Sequence, residues 1–166
     1  MKKIGIVTDS HSSISQEEAE KLGIFVLPMP FYIDGECYYE SVTLSREMFF
    51  EKLTSGADIT TSQPSPTAVM EIWDNALEQF EKILYMPISS GLSGSYETAM
   101  MLAKDEAYEG RVLVVDDGQV AAPLHQMVLD TLDMIEKGYE AEQIRDLLER
   151  AGDRMMIYIA LQTLEC

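Results

Sequence analysis

Only two cysteines occur, Cys37 and Cys166, and only two histidines, His11 and His125. No His/Cys/carboxylate spacing resembles a metal site, and the cysteines form neither a redox pair nor a disulfide framework. No apolar run approaches the length of a membrane span, and Met1-Lys2-Lys3 leads into strand-like Ile4-Gly5-Ile6-Val7 with no signal-peptide pattern. A reduced, cytoplasmic protein is the expectation. Cations are scarce: 12 Lys and Arg stand against 29 Asp and Glu, for a formal net charge of −17. Such a surface repels phosphate backbones and anionic headgroups, which argues against nucleic-acid and membrane partners. Neither Gly-Lys-Ser/Thr nor Gly-x-Gly-x-x-Gly occurs, so the usual phosphate-loop and dinucleotide fingerprints are missing.

What is present is ordinary globular composition, 46% hydrophobic and 25% charged, over 166 residues, enough for one compact domain. Apolar strands and amphipathic stretches alternate in a βα rhythm. Ile4–Val7, Ile24–Leu27, Ile83–Ile88, Arg111–Asp116 and Met155–Leu161 read as strands, the later ones apolar throughout, as a buried parallel sheet requires. Helices are expected from Ser15, Ser45 and Ser65, each a serine N-cap, and over 121–136 and 141–150. Residues 31–39 read as a hairpin about Asp34-Gly35. The expected fold is a three-layer α/β domain, a mostly parallel sheet with helices on both faces.

Two loops concentrate hydroxyls. Ser89-Ser90-Gly91-Leu92-Ser93-Gly94-Ser95-Tyr96 lies between an apolar strand and a helix, where open α/β sheets bind ligands and unpaired helix N–H groups favour an anion. It carries no Lys or Arg, so it suits an acidic oxygen held by neutral donors. A second loop, Ile59-Thr60-Thr61-Ser62-Gln63-Pro64-Ser65-Pro66, also leads into a helix. Ser65 and Pro66 are explained as cap and first helical residue; Thr60 to Gln63 are not. The two clusters would converge if their strands lie side by side in one sheet. Ser62 and Ser95 equally suit capping or turn roles.

Thr8-Asp9-Ser10, Thr61-Ser62-Gln63-Pro64-Ser65 and Ile88 to Tyr96, in that order, resemble the DegV family, and the similarity runs from Lys3 to about Leu164. The resemblance implies a lipid-binding protein, not an enzyme, that holds a long-chain fatty acid and presents it to a fatty acid kinase subunit. It assigns the ligand carboxylate to Thr61 and Ser93, and it implies no cofactor; Ser62, Ser90, Gly94 and Ser95 are second candidates, because backbone N–H groups there could face the ligand. It further implies that residues 1–166 correspond to the first of two domains, because the Gly-Gly-Arg signature introducing the second is not found. The chain departs from the pattern after Asp116, where Ala121 replaces a serine and Pro123 and His125 replace glycines. Glycines there leave packing space, so the change bears on whether an acyl tunnel is open.

Two alternatives stand beside this. Gly91-Leu92-Ser93-Gly94-Ser95 is close to a nucleophile elbow, with Ser93, Asp116 or Asp117, and His125 in hydrolase order, although Ser95 stands where glycine belongs. The other is a degenerate interaction module that binds nothing. Asp9 has no second carboxylate two residues on, because His11 occupies that place. Asp9 and Ser10 are expected to shape the loops through bonds to backbone, and His11 to be a polar loop residue.

Overall fold

The computed structural model describes residues 2–39 and 43–156. Four parallel strands form the main sheet: β1 (Lys2–Asp9), β2 (Phe25–Leu27), β6 (Phe80–Met86) and β7 (Val112–Val114), in the order β2-β1-β6-β7. Because successive side chains alternate faces, each strand feeds two cores. Ile6, Leu84, Met86 and Leu113 face α1 (Gln16–Leu22), α5 (Ala121–Glu136) and α6 (Ala141–Gly152). Val7, Ile83, Tyr85, Val112 and Val114 face α3 (Pro66–Leu77) and α4 (Ser95–Leu102). This is the expected three-layer arrangement. On the second face Trp73 is wholly buried between Tyr85 and Tyr108, edge-on to both, with ring centroids 5.3 and 5.2 Å away. Gly5 has a packing reason: a Cβ there would come within 2.5 Å of the Phe80 ring, which lies across it.

A second, antiparallel sheet projects from this body, in the order β4-β3-β5: β3 (Pro30–Ile33), β4 (Glu36–Tyr39) and β5 (Ile59–Thr61). The hairpin turns at Asp34 and Gly35, whose φ values of 50° and 84° make the turn that matches strand twist. Here the structure corrects the sequence reading. Ile59–Thr61 is not loop but strand, pairing Thr61 with Phe31 and Ile59 with Ile33. The physical reason is a β-branched triplet offered the unpaired edge of β3. The hydroxyl cluster therefore sits on the small sheet, not beside β6. Phe31, Ile33 and Leu44 form a small third core, with Phe49 of α2 (Arg46–Thr54) against it.

Ser15, Ser45 and Ser65 cap their helices by accepting from the amides of Glu18, Met48 and Ala68. The strand expected over Met155–Leu161 falls mostly outside the described residues; Met155 and Met156 are described, exposed and not in a strand.

Candidate ligand-binding site

The carboxyl ends of β1, β6 and β7 carry three loops, and buried side chains lock them together. Asp9, fully buried, accepts from the Ile88 amide at 2.8 Å through Oδ2 and from the His11 amide at 2.9 Å through Oδ1. Thr8 Oγ1 donates to the Met86 carbonyl at 2.7 Å, and Ser10 Oγ accepts from the Met29 amide at 3.0 Å. Asp9 and Ser10 thus make the side-chain-to-backbone bonds expected of them. The Ser89 amide donates to the Gln119 carbonyl at 2.8 Å, which joins the second loop to the third.

The serine-rich loop satisfies much of its own polarity. Ser90 Oγ donates to Asp116 Oδ1 at 2.9 Å. Ser93 Oγ accepts from the Ser95 amide at 3.2 Å and shares a 3.0 Å hydrogen bond with Ser95 Oγ, which is buried. Ser93 therefore stands just before α4, whose N-cap is Gly94, with its hydroxyl turned onto the Ser95 amide. A hydroxyl has one donor and two acceptor sites, so these contacts leave capacity for a ligand oxygen.

The two hydroxyl clusters do meet, by a route other than adjacent strands. Gln63 lies over Gly94, where a Cβ would come within 2.5 Å of Gln63 Nε2, and its Oε1 accepts from Thr98 Oγ1 at 3.0 Å on α4. A side chain at 94 would push the amide end of Gln63 aside. Thr61 and Ser62 then point to opposite sides of the chain. Thr61 lines a cavity of about 190 Å³ between the small sheet and α2, whose walls are Met29, Phe31, Leu44, Phe49 and Ile59. Its polar lining is Thr61, Ser45 and His11. Ser62 opens instead onto a groove beside Tyr32, Gln63 and Thr98, and its Oγ donates to the Gln63 carbonyl at 3.2 Å. Ser90, Ser93, Gly94 and Ser95 are not among the residues lining the apolar cavity, and neither is any residue of the altered segment 117–125.

His11 is the residue that sequence reasoning undervalued. It reaches the cavity wall because a 3-10 turn, Ser10–Ser12, folds back over the end of β1, and its position two residues after a buried aspartate was the available signal. His125 Nε2 lies 2.8 Å from Glu18 Oε1, bridging α5 and α1, while the Ser93 hydroxyl is bonded to Ser95, so the two are not hydrogen-bonded in the manner of a hydrolase pair. Behind the loops, Asp117 and Gln119 are almost wholly buried. Asp117 Oδ2 and both amide atoms of Gln119 have no hydrogen-bond partner among the described residues. Burial, with Asp9 and Asp116 nearby, pushes the Asp117 carboxyl up to about 8 despite the Gln119 amide that donates to its Oδ1. Among the described residues no group of acidic, His or Cys side chains could hold a metal ion, and no helix is long and apolar enough to cross a membrane.

The fold is thus an α/β body in which Thr61, from one of the hydroxyl loops, lines an apolar cavity, the kind of concave site that suits a small apolar ligand. The family model described as "Uncharacterised protein, DegV family" matches residues 3–166, and the chain belongs to the DegV family. A DegV domain-containing protein of Caldanaerobacter subterraneus subsp. tengcongensis is 34% identical over 144 residues, 87% of this chain and 51% of that protein. Among solved structures, a DegV family protein of Thermus thermophilus described as binding fatty acid is 33% identical with a TM-score of 0.81, covering 91% of this chain and 54% of that one. A stearic acid-binding protein of Eubacterium ventriosum is 25% identical with a TM-score of 0.76, covering 90% and 52%. The chain spans about half the length of these relatives.

Proposed function

We propose that this chain is a lipid-binding domain that takes a long-chain fatty acid, with apolar tail against the Phe31, Leu44 and Phe49 walls and carboxylate at Thr61 and Ser93. One observation carries the reading: an apolar cavity whose mouth presents Thr61, on a segment that Gln63 docks onto the serine-rich loop. Each buried CH₂ of the tail contributes about 0.8 kcal/mol, so burial supplies most of the affinity. The hydroxyls and the first amides of α4 fix the head group through charge-assisted bonds of about 1.5–3 kcal/mol. Ser62, Ser90, Gly94 and Ser95 shape the loops around that head group. The similarity to fatty-acid-binding relatives supports the same reading. Delivery of the acid to a kinase subunit completes the proposal, in the longer protein to which such domains belong.

Mass spectrometry of lipid released from the purified, denatured protein tests it, with a fatty acid as the expected species. Thr61→Ala and Ser93→Ala should each weaken fatty acid binding by about 1–3 kcal/mol in titration calorimetry, because a desolvated anion loses a donor. Unaltered affinity in the double variant would remove both residues from the site.

A further inference from the structure

We infer that His11 is a ligand-binding residue, the cationic partner of the bound carboxylate, and that it makes capture of the acid depend on pH. The inference rests on the fatty acid reading above. Neither hydroxyl loop carries Lys or Arg, and among the described residues lining the apolar cavity His11 is the one side chain able to bear positive charge. It shares the mouth with Thr61 and Ser45. Its side chain is 32% exposed, so protons exchange freely with solvent, while its Nδ1 lies 3.6 Å from Asp9 Oδ1.

Asp9 is well suited to hold the ring in place. Its carboxylate is wholly buried and fixed by two backbone amides, so it cannot swing away, and it turns Oδ1 toward one ring edge. Ser10, bound to the Met29 amide, ties down the residue before His11. A carboxylate oriented against one nitrogen of an imidazole sets how the ring is presented, as it does in general acid–base pairs. Several described side chains stand on the elements around the ring. On α5, His125 is engaged with Glu18 of α1; on α2 the cavity is lined by Ser45 and Phe49; on β5 by Ile59 and Thr61; and Asp117 lies behind Asp9.

The chemistry follows from the net charge. With a formal charge of −17, the protein repels a fatty acid anion at long range, and neutral hydroxyls alone do not offset that. An imidazolium at the mouth supplies the missing local attraction and withdraws it as the ring loses its proton. The expected consequence is acid capture at lower pH and release at higher pH, with the uncharged part of the ligand indifferent to the change.

Competition binding of palmitate and of hexadecanol, below their aggregation limits, at pH 6.0 and pH 8.0 tests this with the full chain, its His11→Gln variant and His125→Gln as control. Wild type should bind palmitate about tenfold more tightly at pH 6.0, the gap between a charge-assisted and a neutral hydrogen bond. His11→Gln should hold palmitate equally at both values, near the wild-type strength at pH 8.0; His125→Gln should retain the pH dependence, and hexadecanol should respond to neither change. With only two histidines, the His11 ring proton can also be followed by NMR, and its midpoint should rise when palmitate is added. This second readout needs no variant. Palmitate binding that keeps its pH dependence in His11→Gln, or an unmoved ring midpoint on saturation, overturns the role of His11 and leaves the fatty acid reading standing. Failure of wild type to bind either lipid overturns both.

Discussion

The two sheets of this domain are built to opposite standards. The parallel sheet is covered on both faces, and Trp73, Ile83, Leu84, Tyr85 and Met86 have no exposed surface. The antiparallel sheet has one small core beneath α2, and that helix leaves Met48, Phe50 and Leu53 each about half exposed, at 49%, 49% and 48%. Close packing on both sides makes the first sheet a fixed frame that resists deformation. The second keeps a void among Phe31, Leu44, Phe49 and Ile59. Under the proposed function, a frame that holds the serine-rich loop in register and a loosely filled annexe with room for a hydrocarbon tail would divide the labour of lipid capture between them.

Truncation in each region is the sharpest way to break that comparison. Trp73→Ala should lower unfolding free energy by about 3–5 kcal/mol, the range for a buried aromatic that leaves a cavity. Phe49→Ala removes a half-buried ring beside an existing void and should cost about 1 kcal/mol, while weakening lipid binding. Urea titrations of the two variants measure the difference; equal losses would mean that the sheets share one standard of packing.

The frame has a weak point of its own in Asp117. Its folded carboxyl keeps a proton up to about 8, whereas an unfolded aspartate loses it near 3.8. Folded protein therefore binds more protons between those values. The stability this provides is whole below the unfolded value and is lost as pH rises through the folded one, at up to about 1.4 kcal/mol per unit. Asp117→Asn should flatten that slope between pH 5 and pH 8 in denaturant titrations and raise stability at the upper end. A slope unchanged in the variant would assign the pH response to general repulsion among the acidic residues. An effect no larger than that at Phe49 is expected at Ala121, which opens α5 with φ of 55°, a left-handed conformation that disfavours a side chain. Ala121→Gly should raise the melting free energy by about 1 kcal/mol, since relief of that strain exceeds glycine's greater entropy loss.

Much of the frame could be read from the residues because its signals are local. Apolar strands, three serine caps and the Asp34-Gly35 turn each announce themselves within a few positions. The annexe was less legible. Ile59-Thr60-Thr61 carries two signals, hydroxyl donors and β-branching, and only the presence of the β3 edge decides that the second prevails. The cavity depends on Phe31, Leu44 and Phe49 meeting across three elements, which no spacing reveals. The hydroxyl loops were found from sequence, but their internal bonds were not: Ser90 turns to Asp116 and Ser93 to Ser95. Thr61 and Ser93 remain the proposed ligand contacts on the argument of the cavity mouth and the α4 terminus.

The strand order sets a timetable for synthesis. β1 sits inside the sheet, yet its central partner β6 lies far along the chain, the Thr8–Met86 bond spanning 78 residues. At roughly 5–20 residues per second, a ribosome needs roughly 4–16 s to deliver that partner after β1 has emerged. Through that interval Val7 has only the short β2 to pair with, and Ile4 and Ile6, whose partners are on β6, lie beyond its reach, so the nascent chain carries an apolar, half-paired strand until the middle of the domain is made. Closure of the frame is then a late and abrupt event, and the hydroxyl loops at its edge acquire their geometry only when β6 slots in beside β1.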